Sequence, residues 1–337
     1  MNLIIFLLLT SFTFSVEVTL NITPKWVYIK SLHNNKTTNS KESSVIKLVA
    51  PKNSIQQIEA YKHGYESINK TITFDHDKSI TLNLNKLFNQ SVNTFQTTKQ
   101  LAKNGSPEAQ YKLAVIYATG VGATKDFHKA VSWYKKAANQ NHLGSQYYLA
   151  LMLLNGRGVK KDHTLAKTWF EKAANQDHIE SQFFLGKLYD EGKGVDQSFK
   201  HAFYWYLKAA RLGHKNSQYS VGTMFHNGQG VTKNFKDAFI WYQKAAKQNH
   251  LNAQYLVGLF YANGLGTNIS YKKSLYWYKK SARQKHKSAQ YMLGLMYAEG
   301  IGTPRNLKLS KKWMSKSYKN GNKQAKKAWN KYQLWKY

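Results

Sequence analysis

The sequence predicts an all-α array of helix-turn-helix repeats, preceded by a small antiparallel β-domain. Tryptophan recurs every 36 residues from position 133 onward, and no insertion breaks this register. Apolar residues within each period are spaced as on one face of a helix, whereas residues 16–86 alternate with the period of two typical of strands. Because an active site seldom needs copies, the array has to be interpreted before any single residue in it. The repeated tryptophans are Trp133, Trp169, Trp205, Trp241, Trp277 and Trp313.

The first 15 residues, "MNLIIFLLLTSFTFS", form an apolar run that ends in small residues. This pattern predicts a signal peptide over residues 1–15, cleaved near Ser15, and therefore export to the periplasm or the extracellular space. The run is interrupted by Glu17, too early for the roughly 20 apolar residues of a membrane span. An uncleaved N-terminal membrane anchor is the alternative. Cysteine is absent from the chain, so no lipoprotein anchor and no disulfide is possible.

Residues 16–86 are predicted to form a small antiparallel β-sandwich. Short β-branched or aromatic segments such as "VEVTLNI" and "SITLNL" are separated by Asn, Lys, Gly and Asp turns. Thr23-Pro24 and the segment "HGYES" at 63–67 resemble the PEGA family of surface β-domains, although that family's Gly-rich hairpin is missing.

The first full repeat shows why each unit should be a helix pair. Ser106 is a favourable N-cap, Pro107 suits the first helical turn, and Gly120 ends the helix. Asp126 can then cap a second helix. A leading helix is predicted over 87–104 and a C-terminal capping helix over 321–337. The six repeats between them are 105–140, 141–176, 177–212, 213–248, 249–284 and 285–320.

One position inside each first helix is always small. Glycine there costs roughly 0.5–1 kcal/mol relative to alanine, which predicts that another helix crosses at this point. We expect the tryptophans to supply the bulk around the crossing. The glycines at this position are Gly186, Gly222, Gly258 and Gly294, and the first two repeats carry Ala114 and Ala150.

The segments "AQYLVGLFYANGLG" (253–266) and "AFIWYQKAAKQ" (238–248) are similar to the Sel1-like repeat, an α/α relative of the tetratricopeptide repeat. The resemblance covers about residues 105–320. It implies a right-handed superhelical solenoid that binds or scaffolds other proteins. The disulfide-bearing secreted branch of that family has paired cysteines, which this chain lacks.

No catalytic, cofactor-binding or metal-binding site is predicted. The repeated Gly-x-Gly turn lacks the third glycine of a dinucleotide loop and the Gly-Lys-Ser/Thr of a P-loop. Five histidines also recur every 36 residues, but stacked repeats lie about 10 Å apart, too far for neighbouring histidines to share a metal ion. We therefore expect a structural role for the histidines and a non-enzymatic protein, with an enzyme as the remaining alternative.

The formal net charge is +33, from 50 Lys+Arg against 17 Asp+Glu. Such an excess suggests an acidic partner, but the codon bias of an AT-rich genome is an alternative explanation. From position 238 to the end there are 20 basic residues and one acidic residue, Glu299. This basic C-terminal half could bind an anionic membrane surface or envelope polymer. Nucleic acid is disfavoured, because arginine is scarce.

The first helices carry a variable stripe next to their uniform core positions. Uniform positions indicate packing, whereas a variable stripe is free to specify a ligand, and solenoids bind on the concave side that first helices usually line. We therefore expect an exported, non-enzymatic scaffold or adaptor that holds a protein or peptide in this groove. The candidate groove residues are Tyr148, Leu151, Phe184, Lys187, Thr223, Leu256, Leu259, Met292 and Leu295.

Overall fold

The computed structural model describes residues 95–337 throughout and, before them, the backbone of seven strands. The strands form two antiparallel sheets, in the orders β1-β2-β5-β6 and β3-β4-β7. The side chains that would decide whether the sheets pack as a sandwich lie outside the described residues, as do residues 8–15. The β-sandwich, the PEGA resemblance and the signal peptide therefore stay predictions. The strands are β1 Asn2–Leu7, β2 Val16–Asn21, β3 Tyr28–Ser31, β4 Val45–Val49, β5 Ile55–Lys62, β6 Tyr65–Thr73 and β7 Ser79–Asn83.

Residues 95–337 form a helical repeat array, which confirms the predicted two-helix unit. The chain divides into two compact units, Met1–Asp162 and His163–Tyr337. The first unit contains α1 (95–103), α2 Pro107–Thr119, α3 Phe127–Asn139 and α4 Leu143–Asn155. The second contains α5 His163–Ala174, α6 Ile179–Glu191, α7 Phe199–Arg211, α8 Lys215–Asn227, α9 Phe235–Lys247, α10 Leu251–Asn263, α11 Tyr271–Arg283, α12 Lys287–Glu299, α13 Leu307–Lys319 and α14 Gln324–Lys331. A 3₁₀ turn, Leu334–Lys336, follows.

The helix ends of the first repeat follow from local capping chemistry. The Ser106 side chain accepts a hydrogen bond from the Ala109 N–H, and Pro107 begins α2. Gly120 ends α2 with a left-handed φ of 80°. Asp126 accepts from the Lys129 N–H and so caps α3. Each of these roles was predicted from the sequence.

The residue that closes each second helix adopts the left-handed conformation in every repeat. Most of these positions hold Gly, Asn or Asp, which tolerate a positive φ. Lys285 has φ 68°, so it keeps the same backbone geometry with a side chain that disfavours it. The residues are Gly105, Asn141, Asp177, Gly213, Asn249, Lys285 and Gly321.

The second glycine of the Gly-x-Gly turn has a packing role. A Cβ added at Gly230 would overlap the backbone of Phe199, the first residue of α7, and Gly266 stands in the same relation to Phe235 on α9. Glycine is required because the turn runs directly against the second helix of the preceding repeat. This close approach accounts for the glycine pairs without a phosphate ligand.

The small positions inside the first helices do meet another helix, but tyrosine rather than tryptophan fills the crossing. A Cβ added at Gly222 would lie 2.7 Å from the Tyr242 ring, and one at Gly258 would lie 2.7 Å from the Tyr278 ring. These tyrosines follow the repeated tryptophan directly in the sequence. Tryptophan was expected at this crossing because it is the larger residue. The rotation of the second helix instead turns the adjacent tyrosine toward the first helix.

The tryptophans instead join neighbouring repeats. Trp277, on α11, is buried in a cluster formed by α9 of the preceding repeat and α10 of its own repeat. Trp241 and Trp313 are partly buried against the two equivalent clusters. Trp169 and Trp205 are also buried, and Trp133 is half-buried.

Candidate functional site

The repeated histidines are helix N-caps. The Nδ1 atom of His250 accepts a hydrogen bond from the Ala253 N–H at 3.2 Å and so caps α10. This bond requires an unprotonated Nδ1, which places the proton of the neutral ring on Nε2. The ring also stacks on Tyr219 of the preceding first helix, with centroids 4.5 Å apart. The same cap is formed by His142, His178, His214 and His286.

Burial disfavours the protonated form of four of these imidazoles. Desolvation, with a smaller repulsion from Lys215, lowers the pKa of His250 to about 4. Desolvation also lowers the pKa of His178, His214 and His286. Their chemistry is therefore that of a hydrogen-bond acceptor at a repeat boundary.

A buried glutamine in each first helix links consecutive repeats. The Gln254 side chain donates to the Ala246 carbonyl at 3.2 Å, and its Oε1 accepts from the Gln284 amide at 2.7 Å. Gln218 and Gln290 make the equivalent pairs of bonds, with Gln248 and Asn320 as the respective donors. The sequence showed this glutamine as a constant position, but its partner lies 30 residues away and was not predicted.

The repeated tryptophans carry a second feature that the sequence analysis missed. A lysine three residues further along each second helix places its Nζ over the indole. The distance from Nζ to the ring centroid is 4.0 Å for Lys244 and Trp241, and 4.2 Å for Lys136 and Trp133. Each contact of this kind is worth about 0.5–1 kcal/mol at an exposed site. Part of the lysine content therefore has a structural cause.

The candidate groove residues differ in how far they are exposed. Tyr148 is 40% exposed and stacks on Tyr134, while Lys187 is exposed and pairs with Glu191 at 3.7 Å. Phe184 is half-buried and stacks on Phe170. The remaining candidates are half-buried. Three of them, Leu256, Met292 and Leu295, pack against core clusters. The other three are Leu151, Thr223 and Leu259.

Within the second unit the stripe changes character along the array. On α6 and α8 it combines the polar residues Lys187 and Thr223 with Phe184, and the Thr223 hydroxyl accepts from Tyr242 at 3.2 Å. Asp190 and His226, three residues further along these two helices, extend the polar region and were missed by the sequence analysis. Burial raises the pKa of Asp190 and lowers that of His226. On α10 and α12 the stripe is apolar: Leu256, Leu259, Met292 and Leu295.

The part of the chain that the structure describes offers no grouping of three or more His, Cys, Asp or Glu side chains arranged to hold a metal ion. Among the helices of that same part, none combines the length and apolarity needed to cross a membrane.

Comparison with known proteins supports the repeat assignment. The Sel1 repeat model matches residues 107–142, 144–178, 179–214, 215–250, 251–286 and 287–322. A search of curated proteins found no match. The crystal structure of c5321, a protective antigen of uropathogenic Escherichia coli with an SLR fold, is 35% identical, with a TM-score of 0.66 over 68% of this chain and 50% of that one. This chain thus spans half the length of that protein. A Sel1 repeat protein from Oxalobacter formigenes is 31% identical, with a TM-score of 0.56 over 63% of this chain and 85% of that one.

Proposed function

Because this chain belongs to the Sel1 repeat family, we propose that it is a non-enzymatic scaffold that binds a protein or peptide along its first helices. The observation that carries the proposal is the contrast between positions within one helix. The glutamine and glycine positions are nearly constant from repeat to repeat, and the adjoining stripe is not. Packing accounts for the constant positions, whereas the partly exposed, variable stripe fits a binding surface.

The partner we propose has two kinds of surface. Its polar part would lie on α6 and α8, near Lys187, Asp190 and Thr223, and its apolar part would lie on α10 and α12, near Leu259 and Leu295. Apolar contact would supply most of the affinity, and the polar part would set the register. A right-handed superhelical groove, as the family implies, would hold such a segment in extended contact.

We also propose that the scaffold acts outside the cytoplasm. The apolar run of residues 1–15 supports export, and an uncleaved anchor would hold the same scaffold at the membrane.

Site-specific photocrosslinking tests the groove. A photoreactive residue is placed at Leu259, on the stripe, and in a matched chain at Ile240, an exposed apolar residue on a second helix. Adducts of defined size are expected in cells from position 259 and not from position 240. Lys187→Glu, which changes the polar end of the stripe without touching the core, should then weaken the same adduct.

Adducts from position 240 alone, or equal adducts from both positions, would place the partner elsewhere. An adduct from position 259 that Lys187→Glu leaves unchanged would overturn the polar half of the proposal.

A further inference from the structure

The outward face of the second helices carries a regular set of basic and aromatic residues. Positions i, i+4, i+8 and i+11 of a helix lie on one face. In α7 these positions hold Lys200, Tyr204, Lys208 and Arg211. We call the equivalent positions of four consecutive second helices the basic ladder. Its other members are Lys236, Ile240, Lys244 and Lys247 on α9, Lys272, Tyr276, Lys280 and Arg283 on α11, and Lys308, Lys312, Lys316 and Lys319 on α13.

The ladder faces solvent. Tyr204 and Tyr276 are each 52% exposed and Ile240 is 41% exposed, although all three are large apolar side chains. Lysine lies beside the rings: Nζ of Lys280 is 5.0 Å from the centroid of Tyr276. No ladder position holds Asp or Glu, so every charged member of the face is positive; one of them, Lys208, pairs with Asp177 at 3.6 Å.

The distribution of these charges indicates a binding surface rather than the codon bias of an AT-rich genome. The i+8 lysines lie over tryptophans in every repeat and have a structural cause. Of the other twelve ladder positions nine are Lys or Arg, whereas none of the six equivalent positions in the first two repeats is. Codon bias acts on all repeats alike, and these repeats are copies of one unit. The difference therefore points to a surface confined to four repeats.

The shape of the ladder selects the kind of partner. It extends over 11 residues along each helix, roughly 16 Å, and is repeated on four second helices, α7, α9, α11 and α13. A linear polyanion would cover one line of this area, whereas an anionic bilayer can cover all of it. Lysine dominates over arginine, which suits diffuse attraction to headgroups better than bidentate recognition of phosphates. Tyrosine is favoured at the membrane–water interface, where its ring is partly buried and its hydroxyl stays hydrated.

We propose that the basic ladder docks the protein on the surface of an anionic phospholipid membrane. The groove stripe lies on the first helices, so one array could hold a partner on its first helices while its second helices rest on the bilayer. This surface is independent of the groove, and either can fail without the other.

Vesicle binding of the full chain tests the proposal. Phosphatidylcholine vesicles with and without phosphatidylglycerol are sedimented at an ionic strength of about 0.15 M. The ladder variant carries Lys236→Gln, Lys272→Gln and Lys308→Gln, all at exposed positions. The matched control carries Lys215→Gln, Lys287→Gln and Lys323→Gln, which are also exposed, lie near the starts of first-helix elements and remove the same charge. Each lysine at the surface contributes about fivefold, so the ladder variant should bind anionic vesicles about 100-fold more weakly.

The control should bind nearly as well as the wild type, and circular dichroism should show that both variants are folded. Equal losses in the two variants would mean that net charge alone drives binding, which overturns the proposal. Failure of the wild type to bind anionic vesicles would do the same.

Two further experiments determine whether the basic ladder binds a bilayer or a linear polyanion. Tyr204→Ser with Tyr276→Ser should weaken vesicle binding several-fold, whereas Tyr318→Ser, at an equally exposed tyrosine outside the ladder, should not. If the two tyrosine substitutions left vesicle binding unchanged, docking at the bilayer interface would be overturned. Tighter, ladder-dependent binding to soluble inorganic polyphosphate than to vesicles would replace the membrane with a linear polyanion.

Discussion

At the scale of single residues, one position breaks the glutamine connection between repeats. The donor to the buried glutamine is Gln140, Gln248, Gln284 or Asn320 in other repeats, but the equivalent position in the third repeat is Leu212. The Oε1 atom of Gln182 is accordingly buried without a hydrogen-bond partner. Leu212 itself is 53% exposed, so it gains little from being apolar.

Leu212→Gln should therefore stabilise the protein. The new amide can donate to Gln182 and satisfy a buried acceptor, a gain of about 1 kcal/mol. The urea midpoint of unfolding measures the effect. Leu101→Gln, at a similarly exposed leucine on α1, is the matched control and should give no such gain. If Leu212→Gln were equally stabilising in a Gln182→Met background, the proposed bond could not be the cause.

The histidine caps predict a pH dependence of stability. The folded-state pKa of His250, about 4, lies below its ordinary value, so the unfolded chain binds the proton more readily. Stability from this residue is present above pH 6.5 and is lost as the pH falls toward 4. The loss is at most about 1.4 kcal/mol per pH unit.

His250→Asn keeps a capping side chain but removes the titration. Its urea midpoint should fall less steeply than that of the wild type between pH 6.5 and 4. His201→Asn, at an exposed histidine on α7, is the matched control for the loss of a histidine outside the caps of the first helices. A wild-type slope in His250→Asn would show that the cap does not titrate in this range.

At the scale of helices, the sequence was sufficient to predict the features that depend on local contacts. Ser106, Pro107, Gly120 and Asp126 act within four residues of themselves, so capping rules gave the helix ends correctly. The crossing at the small position was also predicted, because a mid-helix glycine has a known cost. Which ring fills that crossing depends on the rotation of one helix against another. Tyr242 was therefore missed, as were the partners of the glutamines.

The glycine crossing predicts different effects for the same substitution in two repeats. A Cβ at Gly258 would lie 2.7–3.2 Å from the rigid ring of Tyr278, whereas one at Gly294 would lie 2.9–3.1 Å from the flexible side chain of Met314. Alanine improves helix propensity equally at both sites. The methionine can rotate away and the buried ring cannot, and overpacking typically costs 1–3 kcal/mol.

Gly258→Ala should therefore be less stable than Gly294→Ala by about 1 kcal/mol or more. Thermal midpoints of the two variants provide the comparison, and each serves as the control for the other. Equal midpoints would mean that the tyrosine is free to move and that the glycine does not set the crossing.

At the scale of the whole molecule, neighbouring repeats of the second unit stabilise each other through hydrophobic clusters that contain residues of both. The cluster around Tyr242 receives Trp277 from the next repeat, and the cluster around Tyr278 receives Trp313. The cluster around Met314 is completed in a different way. It is closed by Ala325 and Ala328 of α14 and by Leu334 of the 3₁₀ turn, all buried against Met314. The role of residues 321–337 as a cap stays a prediction.

A nearest-neighbour array of this kind predicts that damage to the cap stays local. Leu334 is fully buried whereas the adjacent Trp335 is 54% exposed, so the two residues form a matched pair. Leu334→Ala removes a core contact and should cost roughly 2–5 kcal/mol at the last repeat. Amide hydrogen exchange should accelerate in α13 and α14 and remain slow in α7 to α9, and Trp335→Ala should change neither region. Faster exchange throughout α5 to α14 would show that these helices unfold as one cooperative unit, with stability shared across repeats rather than held at each boundary.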